Sequence, residues 1–386
     1  MKRLVTTMIA IVISLVSFPC LAQEVARERF EVDFGGFLST AEITYPAGEE
    51  GPFPAVILIP GSGITDLDHT VVSPYDFGPG GPVQLSANFR ALSDGLSQHG
   101  FAVVRYNKRY VTGPNQVDAM RFYQLTLADF LADAEAVVEA TIAHPKVDGH
   151  RLFLFGWSEG STLAATLAAE RSDVAGLILQ TPVVFPWKET FAYQVLEVGW
   201  PFLLSFAEEG YITAGSISKA MTSDAGMVAK SAASFVVDQG AWFTGQLAVN
   251  TALDADQDGR LKIGSELTMS ALLELVNAAF EPGGYLAMYA PENGLPPVGD
   301  RVGAVRPPVL ILQGGRDANV PPRGAEVLYD AFKAAGHPDV TLRMYPELGH
   351  SLGEASSVRN DNFRPIAPGP IEDVAAWLKA RAGTRP

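Results

Sequence analysis

The sequence holds one cysteine, Cys20, in 386 residues. That excludes an internal disulfide framework as the source of stability. Charge is sparse, at 18% of residues, and basic charge is sparser: 28 Lys and Arg stand against 43 Asp and Glu, for a formal net charge of −15. No basic run or basic helix offsets that balance, which excludes nucleic acid and anionic membrane surfaces as expected partners. Uninterrupted apolar runs are short as well. The most apolar stretch, Leu4 to Val16, is itself interrupted by Thr6, Thr7 and Ser14 and is followed by Pro19, too little to span a bilayer.

That N-terminal run has another reading. Lys2 and Arg3 precede it, and Cys20-Leu21-Ala22 places small residues at both cleavage-determining positions. The pattern predicts a signal peptide over residues 1–22, cut after Ala22, and hence a periplasmic or secreted protein with no membrane association afterwards. Cleavage would also remove the only cysteine and take the charge from −15 to −17.

What remains is rich in apolar segments, 47% hydrophobic overall, enough to bury a large core. Phe30–Phe34 and Leu38–Tyr45 alternate as two strands joined at Gly35-Gly36. Pro54–Pro60 is a continuous apolar run, as expected for a strand covered on both faces. A helix over Ser86–Gln98, a strand over Phe101–Tyr106 and a helix over Leu127–Ala143 follow. Then come a strand (Arg151–Phe155), a helix (Ser161–Ala169) and a strand (Val174–Gln180). After Pro307 the pattern resumes with strands at Val309–Gln313 and Val340–Tyr345, a helix at Gly324–Ala335 between them, and a last helix at Ile371–Arg381. Strands alternating with helices predict a mostly parallel α/β sheet. The stretch from about Thr181 breaks the alternation and shows no clear strand run. The expected organisation is a core over 23–182 and 306–386, with a mostly helical cap insertion over 183–305. The loop from Asp66 to Leu85, rich in Gly and Pro, is expected to shape the pocket together with the cap.

The chemistry centres on Gly156-Trp157-Ser158-Glu159-Gly160, a Gly-x-Ser-x-Gly placed between a strand and a helix. Such a turn lifts the serine hydroxyl off the sheet and aims a helix N-terminus at developing negative charge. A serine needs a base, and the base needs an orienting carboxylate. Of six histidines, only His337 and His350 follow Ser158. His337, in a helix-to-strand connection, is expected at the surface. His350, just past the last strand, is the expected base. Asp317 follows the strand Val309–Gln313, near the C-terminal ends where parallel sheets place their sites, and is the expected acid. Backbone amides of Ser62, in Pro60-Gly61-Ser62-Gly63, and of Glu159 are the expected oxyanion donors, with Gly61 next in line.

These motifs resemble the α/β-hydrolase superfamily, and more narrowly bacterial esterases and serine aminopeptidase-like hydrolases. The resemblance rests on Gly61-Ser62-Gly63-Ile64-Thr65-Asp66, Arg105-Tyr106-Asn107-Lys108-Arg109-Tyr110 and Gly156-Trp157-Ser158-Glu159-Gly160-Ser161. It covers about residues 30–182 and 305–380. Asn107 stands where the family has a carboxylate, Tyr110 where it has a glycine, and Trp157 where it has a histidine. Tyr110 is not expected to take glycine's backbone freely. The resemblance implies an acyl-enzyme hydrolysis of a small to medium ester, without a required cofactor. A peptidase acting on short peptides is the alternative, with Glu197, Glu208 or Glu209 as the carboxylate that would hold a charged terminus. A binding protein on the same scaffold would have lost a member of the triad, and none is missing.

One motif lies outside that scheme. Asp254, Asp256 and Asp258 occupy positions one, three and five of an EF-hand-like loop, with Gly259 at six. Ser265 stands at the twelfth position, and Glu266 follows one step late. A structural calcium ion in the cap and a solvated acidic turn are both open readings of this loop.

Overall fold

The computed structural model describes residues 24–78, 81–238, 240–241 and 245–383, so the expected signal peptide lies outside the described residues. Eight strands form the central sheet: β1 (Val25–Asp33), β2 (Leu38–Pro46), β3 (Phe53–Ile59), β4 (Ala102–Tyr106), β5 (Val147–Trp157), β6 (Val174–Gln180), β7 (Val309–Gly314) and β8 (Val340–Tyr345). Their spatial order is β1-β2-β4-β3-β5-β6-β7-β8. Strand β2 runs antiparallel to both of its neighbours, and every other pairing is parallel.

The period of two along β3 explains why that strand reads as unbroken apolar sequence. Ala55, Ile57 and Ile59 face one layer, with Leu127, Val138, Leu163 and Phe332 from three helices. Val56 and Leu58 face the other, with Leu92, Leu96, Val374 and Leu378 from the helices Asn88–Gln98 and Pro368–Ala382. All seven β3 residues are buried, as a sheet covered on both faces requires. The helix Leu127–Ile142 starts at a capping box, in which Thr126 and Asp129 satisfy each other's backbone amides, fixing the entry from the preceding turn.

Between Gln180 and Val309 the chain leaves the sheet. This insertion is mainly helical, with helices such as Trp187–Ala192, a π-helical turn at Tyr193–Gly199 and helices Met227–Phe235 and Met269–Ala279. It also contains a small antiparallel pair, Tyr211–Thr213 with Arg260–Lys262, which corrects the reading that it lacks strands. Its apolar residues, among them Val195, Phe202, Ile217 and Leu272, belong to the same packed cluster as one face of the sheet. No helix among the described residues is long and apolar enough to cross a membrane.

Four further local readings are corrected. Most of the segment expected as a loop over Asp66–Leu85 is a β-hairpin, Thr70–Gly78 against Gly81–Ala87, and the helix after it begins at Asn88 rather than Ser86. His337 is buried, 8% exposed, with its ring edge-on to Phe332. Tyr110 does take the left-handed backbone, at φ 66°. Ring contacts with Phe37 at 5.0 Å and Arg121 at 5.7 Å hold it there.

Candidate active site

Ser158 sits between β5 and the helix Glu159–Glu170 at φ 54°, ψ −119°, a strained conformation for a residue with a Cβ. The neighbouring glycines permit it. A Cβ on Gly156 would stand 2.4 Å from the carbonyl oxygen of Gly160, and one on Gly160 would stand 2.3 Å from that of Ile59. Neither contact is possible for a larger residue, so both glycines are required by close backbone approach.

His350 and Asp317 come together from the ends of the last two strands. His350 Nδ1 lies 3.0 Å and 2.9 Å from the two oxygens of Asp317. Asp317 is fully buried and its remaining capacity is used. Oδ1 accepts the amides of Asn319 and Val320, and Oδ2 accepts Gln313 Nε2 at 2.9 Å. With Nδ1–H donated to the carboxylate, Nε2 is the ring nitrogen left to act as a base. The main chain of His350 is pinned as well, since its carbonyl accepts Trp157 Nε1 at 3.2 Å and Thr181 Oγ1 at 3.3 Å.

Ser158, His350 and the 61–63 turn line one cavity of about 410 Å³. Thr70, Val71, Val72 and Pro74 of the hairpin and Trp187, Phe191 and Gln194 of the insertion close it, so hairpin and insertion both shape the pocket. No Asp, Glu, Lys or Arg is among its described lining residues. Glu197 instead meets Arg323, and Glu208 meets Lys219. Those two and Glu209 are absent from the lining.

Several participants carried no clear sequence signal. Asp361, buried in the loop after His350, accepts the amides of both His350 (2.9 Å) and Ala318 (3.0 Å) on Oδ2, stapling the His350 loop to the Asp317 loop. Burial, and then the charge of Asp317, push its carboxyl up to about 6. Glu159, directly after Ser158, is fully buried, a rare state for a carboxylate without partners. Its partners are Lys108 Nζ at 2.7 Å and the hydroxyl of Tyr289, from the insertion, at 2.6 Å. The Tyr289 hydroxyl is held well above its usual range, by burial first and by the charge of Glu159 second. Lys108 stands in the quoted Arg-Tyr-Asn-Lys-Arg-Tyr motif, but its target was not readable from spacing. Asn107, where the family has a carboxylate, still accepts the Leu67 amide at 2.7 Å.

The acidic loop of the insertion assembles differently from its linear pattern. Asp254, Asp256 and Glu266 bring carboxylate oxygens within 4.8 Å of one another, whereas Asp258 pairs with Arg260. Glu266, one step late in the linear spacing, thus takes the place that Asp258 was expected to fill. Asp254 also accepts the amides of Asp258 and Gly259, and Glu266 those of Ala255, Asp256 and Lys262. Hard oxygen donors of this kind suit calcium in chemistry, and none of the loop's residues is among those lining the cavity.

The mostly parallel sheet, the strained serine turn and the His–Asp pair at the strand ends give the chain an α/β-hydrolase fold. Residues 81–253 match the family described as serine aminopeptidase, S33, and residues 284–368 match the prolyl oligopeptidase family. Esterase EstD of Thermotoga maritima is 33% identical over 154 residues, which are 40% of this chain and 32% of that protein. The match therefore spans about a third of that relative's length. An esterase of Pyrococcus furiosus superposes with a TM-score of 0.50 at 12% identity, covering 93% of this chain and 92% of that one. An acylaminoacyl peptidase of Pyrococcus horikoshii gives 0.50 at 12% identity, covering 94% of this chain and 42% of that one. These two structural likenesses concern the fold.

Proposed function

We propose that the chain is a serine hydrolase that cleaves a neutral carboxylic ester of small to medium size through an acyl-enzyme. The observation carrying this reading is the pocket: Ser158 and His350 open onto a cavity whose described lining holds no acidic or basic side chain other than histidine. Ser158 Oγ attacks the ester carbonyl while His350 Nε2 takes its proton, with Asp317 stabilising the imidazolium. The amides of Ser62 and Glu159 hold the oxyanion. His350 then protonates the departing alkoxide, and water repeats the sequence against the acyl-serine.

Cleavage of an amide is the second reading, favoured by the two peptidase families whose models match. Cleavage next to a free peptide terminus would require a partner for that charge, and the pocket offers none among its described residues. The test is turnover of p-nitrophenyl esters of graded chain length beside aminoacyl arylamides. The ester reading expects kcat/KM on the best ester to exceed that on any arylamide; the opposite ranking overturns it.

No step of this reaction calls on a metal or an organic cofactor. A calcium ion at Asp254, Asp256 and Glu266 would act on the stability of the insertion, and removing it with a chelator would lower Tm and leave kcat unchanged. The N-terminal pattern supports export to the periplasm or beyond, which cell fractionation tests.

A further inference from the structure

His69 is the one buried histidine that reaches the pocket without a part in the reaction above. It is 5% exposed and lines the same cavity as Ser158. Its ring packs against Trp157, at 4.1 Å between centroids, and Phe89, at 5.0 Å. The backbone N–H of Gly61 donates to its Nε2 at 3.2 Å. Two N–H groups cannot face each other at that distance, so Nε2 carries no proton and the ring is the neutral Nδ1–H tautomer. Burial, and then the charge of Lys108, lower its pKa to about 3, which keeps Nε2 an acceptor at any working pH.

Two costs mark the position as constrained. His69 holds a left-handed backbone, φ 49°, and its buried Nδ1 has no protein partner. Both are tolerated because the segment is tied down on every side. Asp66 accepts Thr70 through its amide and its hydroxyl, Leu67 donates to Asn107, and Asp68 pairs with Arg105. Strain and an unpaired buried polar atom concentrate where geometry serves function.

The target of His69 is the turn beside the nucleophile. A Cβ placed on Gly61 would lie 3.3 Å from His69 Nε2 and 3.4 Å from Ser158 Cβ, so ring, turn and nucleophile are in direct succession. The Gly61 amide, already donated to the ring, is not available to an oxyanion. Its fixed direction sets the peptide plane from which the chain enters Ser62. We propose that His69 is a positioning residue that anchors Gly61 and thereby leaves the Ser62 amide as the oxyanion donor opposite Glu159. The inference rests on Ser158 being the nucleophile and adds what selects the second donor.

The test compares wild type, His69→Phe, His69→Gln and Ser158→Ala on one p-nitrophenyl ester. Active sites are counted by the p-nitrophenol burst, and the Ki of an alkyl boronic acid reports on the tetrahedral adduct whose oxygen fills the hole. Per active site, His69→Phe is expected to lose about 10- to 100-fold in kcat with KM within about twofold. Its boronate affinity falls in the same ratio. His69→Gln, whose amide oxygen can accept from Gly61, recovers most of both. A misfolded fraction lowers the burst and moves neither quantity per active site. Unchanged kcat and Ki in His69→Phe, or a Gln variant as impaired as the Phe variant, overturns the inference. A burst that survives Ser158→Ala overturns the nucleophile assignment instead, and the role of His69 with it.

Discussion

Asp317 illustrates how a side chain is committed to one task. With five hydrogen-bond contacts from Asn319, Val320, Gln313 and His350, it has no freedom to rotate, and it holds the imidazole in a single tautomer. Asp317→Asn keeps the size but presents either a donor or an oxygen without charge. The expected result is a fall in kcat of about 10⁴-fold with KM little changed, measured by steady-state hydrolysis on the best ester. The pairing of Asp317 with His350 was legible in the sequence because both follow the last two parallel strands, whose C-terminal ends lie side by side. Asp361 was not, since a carboxylate serving two backbone amides from a loop follows no spacing rule. His69 was set aside on its position before Ser158, although its contacts with Gly61 and Trp157 put it at the site. Tyr110 was misjudged because ring packing compensates for a backbone that side chains usually avoid.

At the scale of elements, buried strands were the most readable, since burial on both faces leaves only apolar residues to choose from. The hairpin over residues 70–87 was read as loop: its Gly, Pro and polar residues give no clean alternation, and its register carries irregularities at Val71/Val72 and Val72/Phe77. The insertion is where substrate size is expected to be decided. A second cavity of about 180 Å³ lies within it, and Phe191 and Gln194 line both that cavity and the main one. Their segment runs into a π-helical turn, a feature that recurs at functional sites. Phe191→Ala would join the two spaces. For esters two methylenes longer than the wild-type optimum, kcat/KM relative to the optimum is expected to rise about tenfold, from roughly 0.8 kcal/mol per buried methylene. An unchanged chain-length profile would show that the wall between the cavities does not limit the acyl group.

At the scale of the whole molecule, stability should carry the mark of Asp361. Its carboxyl is raised to about 6 in the folded protein, against about 3.9 for an unfolded aspartate. The folded state therefore holds this proton more tightly. The resulting stabilisation is full below about pH 4 and is lost as pH rises through about 6. Asp133, also pushed up to about 6 by burial, acts in the same direction and is common to both proteins in a comparison. Urea unfolding of wild type and Asp361→Asn at pH 4.5 and 6.5 is expected to show a smaller loss of stability with rising pH in the variant. Equal pH dependence would mean that Asp361 is ionised throughout that range.

The account as a whole depends on Ser158 forming a covalent acyl intermediate. The most direct measurement is intact-mass and peptide mapping after brief acid quench of the protein with a p-nitrophenyl ester. The prediction is one acyl group per chain, on the peptide bearing Ser158, absent when His350 is replaced by alanine. Turnover without any adduct, or an adduct on another residue, would contradict it.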